Sequence, residues 1–183
     1  MYYPPYRPSH WPNAVNTQWN YSNGGYDTWL NNPNYRSINP KYRDTNLVDY
    51  GSNPFVVDME TVTKNNQNFR TALWTGKHLQ LTLMSIDVGE DIGLEVHPHL
   101  DQFLRIEEGQ GLVQMGDRKE YLNFQQQAYK DYAIFVPAGK WHNLINTGHQ
   151  PLKLYSIYAP PEHPFGTVHE TKAIAMAAEN HRY

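Results

Sequence analysis

The sequence predicts an all-β fold, a sandwich or small barrel formed by a single domain of this 183-residue chain. Three observations predict it. From about residue 46 onward, short apolar runs rich in β-branched and aromatic residues recur at roughly 8 to 12 residue spacing. Turn residues, above all Gly and Pro, punctuate those runs. Only one segment, close to the C terminus, carries helix signals.

Taken in order, residues 1–45 form a region of different composition. They hold 7 Tyr, 3 Trp, 8 Asn and 6 Pro, but only Val15, Leu30 and Ile38 as aliphatic branched residues. Such a segment has no apolar period and cannot build its own core, so it reads as an aromatic arm, loosely docked or used in assembly. The barrel is expected over residues 46–170. Its strands are read from FRTALWTGK, LQLTLMSIDVG, LEVHPH, FLRIEEGQG, LVQMGD, AIFVPAG, HNLINTG and LKLYSIYAP. Between Gly116 and Ala133 the run DRKEYLNFQQQAYKDY is too polar for a core strand and reads as an exposed hairpin extension. Residues 171–183 are expected to form a short C-terminal helix and tail, with Thr171 as N-cap ahead of KAIAMAAEN.

Composition excludes several function classes. A net charge of -3 and a pI near 6.3 argue against a nucleic-acid binder, which shows a basic face. No apolar run approaches the roughly 18 residues of a spanning helix, so no membrane partner is expected. The opening MYYPPYRPSHWPN lacks the basic and apolar regions of a secretory signal, and a cytoplasmic location is expected. The absence of cysteine removes disulfides, thiolate catalysis and Cys-held zinc. Nine histidines remain, so any metal must be held by His, carboxylate or amide oxygen.

Two stretches concentrate that resource, residues 89–109 and 131–146. Within a strand, residues i and i+2 share a face, so Glu95 and His97 aim together into a barrel. A turn through Pro98 to Asp101 lets Gln102 return to the same face, and the Pro137-Ala138-Gly139 turn delivers His142 at the start of another strand. Four donors thereby converge from three strands, the shape of a metal site in a barrel mouth.

The same stretches resemble the two signature motifs of the cupin superfamily. In the second, Pro137, Gly139, His142 and Asn146 fit without a gap, with Asp131 standing for the leading Gly. The first motif admits two registers. Placing His97 and His99 on the family's His-x-His leaves only two residues before Gln102 and puts Asp91 on the leading Gly. Placing Glu95 and His97 there satisfies every spacing, from Gly89 through Gln102 to Gly109, with Glu replacing the first His and Gln replacing the Glu. The second register fits better; a set using His99 instead, or a barrel without metal, stays open.

The resemblance covers roughly residues 55–160 and implies a double-stranded β-helix, the jelly-roll or cupin barrel. It implies a divalent metal (Mn, Fe, Zn, Ni or Co) on Glu95, His97, Gln102 and His142, a relative of the 2-His-1-carboxylate set. The chain looks most like the single-domain group named mannose-6-phosphate isomerase-like. That implies a metal-dependent isomerase-type activity on a sugar-like ligand, an enediolate, and a base, His99 or a metal-bound hydroxide, moving the proton. Lys140, on the barrel lip, is the candidate for an anionic substrate group, although no Arg and Lys cluster for a phosphate is visible.

Two other functions compete. An Fe or Mn dioxygenase or decarboxylase would use the same ligands. An assembly role without turnover, in a bacterial spore coat or another surface layer, would use the Tyr/Asn/Pro-rich arm. Single-domain cupins pair through exchanged strands, so a homodimer is expected, with a larger assembly possible through the arm. Among the remaining polar residues, Arg105 is expected to face outward and pair with a carboxylate. Asp101, Glu107 and Glu108 are expected in solvated turns, and His163 and His169 in a structural strap.

Overall fold

The computed structural model describes residues 47–180. The expectations for the arm, residues 1–45, and for the tail beyond residue 180 lie outside the described residues. In order, the elements are α1 (Met59–Asn65), β1 (Arg70–Thr75), β2 (Gln80–Ile86), β3 (Glu95–Val96), β4 (Asp101–Glu108), β5 (Gln110–Gly116), β6 (Phe124–Tyr129), β7 (Ala133–Val136), β8 (Trp141–Asn146), β9 (Leu152–Ala159), β10 (Val168–His169) and α2 (Lys172–Asn180).

The strands form two antiparallel sheets. The larger has the order β10-β1-β2-β9-β4-β7 and the smaller β3-β8-β5-β6. Alternation along β4 and β8 turns Leu104 and Ile106 of one sheet toward Leu144 of the other, and Met84, Ile86, Val113, Leu152 and Leu154 complete the core between them. This is the expected all-β jelly roll, a double-stranded β-helix.

A smaller cluster, Val62, Leu73 and Leu83, lies apart from that core, with Leu47, Tyr50, Phe55, Val57 and Met59 packed against it. It explains α1, a helix the sequence did not announce. Seven residues are too few to display a helical apolar period. The helix forms because Asp58 caps Thr61 N–H at 3.1 Å and Val62 and Thr63 are buried. At the other end of the chain Thr171 Oγ1 accepts from Ile174 N–H at 3.3 Å, as expected of an N-cap, and Ala175 joins the main core.

Two other expectations are corrected. The polar run after Gly116 is not wholly an extension: FQQQAY is strand β6, paired along its length with β5. It sits at a sheet edge and leaves most of its side chains exposed, so backbone pairing holds it in place. Glu107 is not in a solvated turn. The register of β4 against β9 shifts between Ile106 and Glu108, and this bulge leaves Glu107 only 3% exposed. Burial raises the pKa of its carboxyl despite the opposing charge of Arg105. Arg105 does pair with carboxylates, Asp131 at 3.0 Å and Glu107 at 3.6 Å.

The motif turns have physical reasons. Gly139 holds φ +80°, a left-handed conformation in which a side chain is strained. Its N–H donates to the His97 carbonyl at 2.8 Å, and Ala138 N–H donates to Asp101 Oδ1 at 2.9 Å. The second motif's turn is thus clipped onto the first motif's, and Asp101, though exposed, has a partner. Asp131 replaces the motif's leading Gly and keeps φ at 71°, which Asp tolerates better than most residues. Buried Asn146 donates to the Ile86 and Gln150 carbonyls and accepts from Gly148 N–H, all at 2.9 Å.

Candidate metal centre

β3 pairs with β8 so that Glu95 lies opposite His142, and His97 follows β3 by one residue. Glu95 Oε1 lies 3.3 Å from His97 Nε2 and 3.3 Å from His142 Nε2. One donor atom from each residue falls within 4.8 Å of the others. The three side chains are thus drawn together as the Glu95–His97 register anticipates.

The outer ring nitrogens are held from behind. His142 Nδ1 lies 3.1 Å from the Lys140 carbonyl, which can only accept, so Nδ1 carries the proton. His97 Nδ1 faces Glu162 Oε2 at 3.8 Å. The Lys140 contact fixes the His142 tautomer and aims its Nε2 inward, as around metal-bound imidazoles.

An unprotonated ring nitrogen and a carboxylate oxygen both only accept, so His142 Nε2 and Glu95 Oε1, 3.3 Å apart, call for a proton or a cation between them. His97 Nε2, His142 Nε2 and Gln102 Oε1 are all buried without a hydrogen-bond partner. Gln102 lies on the larger sheet, opposite Tyr158 in register, and its Nε2 donates to Ser156 Oγ at 2.9 Å. That bond commits the amide N–H₂ and leaves Oε1 as an available neutral donor. Two imidazole nitrogens and one carboxylate thus stand close enough together to hold a divalent ion.

Electrostatics couple the same residues. Burial opposes charge on Glu95, but the adjoining His142 and His97 imidazoles and the charge of Arg70 override it and hold the carboxyl far below its usual range. Burial likewise opposes charge on His97, yet the adjoining Glu95 carboxylate, with the charge of Glu162, raises its pKa. Tyr158, edge-on to His97 at 5.7 Å between ring centres, has its pKa pushed up to about 12, chiefly by burial.

Not every site residue of the sequence reading joins this cluster. His99 is exposed on the turn after His97. Lys140 stands at the lip, with its ammonium paired to Asp117 and its backbone carbonyl bracing His142. His163 is buried edge-on to Tyr158, with ring centres 5.1 Å apart. Three neighbours went unnoticed in the sequence: Tyr158, Glu162 and Arg70. Arg70 is 1% exposed and pairs with Glu179 at 2.8 Å. Tyr158 was discoverable, because Leu154, Ser156 and Tyr158 alternate along one face of β9. Glu162, in a proline-bearing strap, carried no such signal.

Comparison with known proteins bears out the family. The cupin domain model matches residues 82–158, and the chain belongs to the cupin superfamily. It is 66% identical over 145 residues to the uncharacterized protein YrkC of Bacillus subtilis, covering 78% of each chain. It is 38% identical over 123 residues to the uncharacterized protein L612 of Acanthamoeba polyphaga mimivirus, covering 67% of this chain and 75% of that one. The crystal structure of BH2720 from Bacillus halodurans is similar at 72% identity and a TM-score of 0.71, covering 71% of this chain and 98% of that one. No helix among the described residues is long and apolar enough to cross a membrane.

Proposed function

We propose that the chain is a metal-dependent cupin that binds a small hydroxy-carbonyl compound through two oxygens and promotes proton transfer next to the carbonyl, as isomerases do. The observation that carries the reading is Glu95 Oε1 set 3.3 Å from both His97 Nε2 and His142 Nε2, with His142 Nδ1 against the Lys140 carbonyl. A bound divalent ion supplies Lewis-acid polarisation of the carbonyl. Glu95, His97, His142 and the Gln102 amide oxygen would hold it, with no preference among Mn, Fe, Co, Ni and Zn in this donor set.

The chain's own groups do the rest. Tyr158, kept neutral by its raised pKa, is a hydrogen-bond donor beside the centre, suited to oxygen that gains negative charge. Glu162 is half-buried behind the His97 ring, against Nδ1, where it orients that ligand, and exposed His99 on the following turn is the proton acceptor. Lys140 is tied to Asp117, which favours an unphosphorylated ligand over a sugar phosphate.

The test is exchange in D₂O. Protein stripped with EDTA and reloaded with Mn²⁺ is mixed with a panel of hydroxy-aldehydes and hydroxy-ketones and followed by NMR. Deuterium entering at the carbon beside the carbonyl, only with metal and only with Glu95 intact, is the expected result. Full metal loading without exchange on any compound would reduce the centre to binding alone.

A further inference from the structure

In the first motif Gln102 stands where the family pattern has Glu, and that exchange changes what the side chain needs. A carboxylate is drawn to a cation by charge and binds through either oxygen. An amide is neutral and binds through one end only, so its N–H₂ must find an acceptor on the side away from the cation. Buried without one, those donors would carry a desolvation cost that opposes binding. A glutamine side chain also has several rotatable bonds, and ordering them costs entropy.

The fold supplies that acceptor. Gln102 Nε2 donates to Ser156 Oγ at 2.9 Å. Ser156 is wholly buried and Gln102 is 3% exposed, so bulk water does not compete for this bond. Ser156 lies on β9, inside the larger sheet, paired with Thr82 of β2 on one side and Leu104 of β4 on the other. A hydroxyl on a strand held from both sides is a fixed anchor. Along β4, Gln102 shares the inward face with Leu104 and Ile106. Directly opposite it on β9 is Tyr158, whose ring meets His97 edge-on at 5.7 Å. The far end of the amide, Oε1, is buried without a hydrogen-bond partner, as are His97 Nε2 and His142 Nε2.

We infer that Ser156 is a positioning residue of the metal centre: its hydroxyl takes the Gln102 amide N–H₂ and so holds Oε1 toward the ion. It acts through Gln102 and is not itself a ligand. The inference rests on the proposed metal reading of the centre.

The probe is Mn²⁺ alone. Its dissociation constant is measured by calorimetry on the full chain, stripped with EDTA and dialysed, for wild type, Ser156→Ala, Gln102→Ala and the double variant. Ser156→Ala is expected to weaken Mn²⁺ binding about tenfold or more. In the Gln102→Ala background the same substitution should change nothing, because the group it orients is gone. Co²⁺ absorption gives a second readout. At saturating Co²⁺ the visible spectrum of Ser156→Ala should move toward that of Gln102→Ala, whereas a merely loosened fold keeps the wild-type spectrum at saturation. Wild-type affinity in Ser156→Ala would overturn the inference. So would an equal loss in both backgrounds, which marks a general effect on the fold. Gln102→Ala that binds as wild type does would overturn it too, while leaving Glu95, His97 and His142 as the centre. Wild type that takes up no Mn²⁺ would remove the metal reading and the inference with it, so the two failures are told apart.

Discussion

Asn146→Ala tests whether the second motif's asparagine serves the fold and not the metal. Its side chain makes three hydrogen bonds of 2.9 Å, two donated to the Ile86 and Gln150 carbonyls and one accepted from Gly148 N–H. The residue is buried. At roughly 0.5 to 1.5 kcal/mol net per neutral bond, with a further cost for any partner left dry, the loss is about 2–4 kcal/mol. That corresponds to a fall in Tm on the order of 5–15 °C for a chain of this size. Asn146→Asp sharpens the test. It keeps the acceptor for Gly148 but sets a carboxylate oxygen against two carbonyls, so it should cost more than alanine despite its closer shape. Urea unfolding at neutral pH, with Mn²⁺ stoichiometry measured in parallel, reads both effects. If Asn146→Ala is within about 0.5 kcal/mol of wild type, or Asp is the milder change, the three-bond account is wrong.

Asp131 holds φ at 71° and an exposed pair with Arg105. Asp131→Gly should lie within about 0.5 kcal/mol of wild type, because relief of backbone strain offsets the lost pair. Asp131→Val should lose more than about 1 kcal/mol in the same urea assay. Arg70 and Glu179 join β1 to α2 through a pair buried on the arginine side. Arg70→Met, which strands only the half-exposed partner, should therefore cost less than Glu179→Ala, which leaves the buried guanidinium unpaired, and thermal melts of the two variants would show the order. Buried Lys153 donates to Ser85 Oγ at 2.9 Å, and burial lowers its pKa from the ordinary 10.5. Between the lowered folded value and 10.5 the unfolded chain binds more protons, so stability should rise with pH across that window. Lys153→Met should flatten the slope of urea midpoints measured up to about pH 10, and an unchanged slope would clear Lys153 of the effect.

Much of the fold was legible because it rests on local pattern. Strands with alternating apolar residues, such as β4 and β8, announce their period directly, and Thr171 announces α2. The grouping of Glu95, His97 and His142 was legible for a related reason: motif spacing favours Glu95–His97 over His97–His99, and strand geometry then carries Glu95 and His97 to one face. What the sequence concealed depends on distant partners. β6 has a polar sequence and exists because β5 pairs with it. Glu107 is buried by a one-residue bulge that no local pattern encodes. Arg70 and Glu162 reach the neighbourhood of the centre from opposite ends of the described chain, and only the folded sheets bring them to it.

The central claim is that Glu95, His97, His142 and Gln102 form a divalent-metal site. The direct test is metal content by mass spectrometry after Mn²⁺ loading, on wild type and on Glu95→Ala, Gln102→Ala and His99→Ala. One ion per chain in wild type and in His99→Ala, with loss in Glu95→Ala and weakened retention in Gln102→Ala, is the predicted result. Protein that takes up no metal, or that loses it through His99→Ala while Gln102→Ala keeps it, would contradict the account.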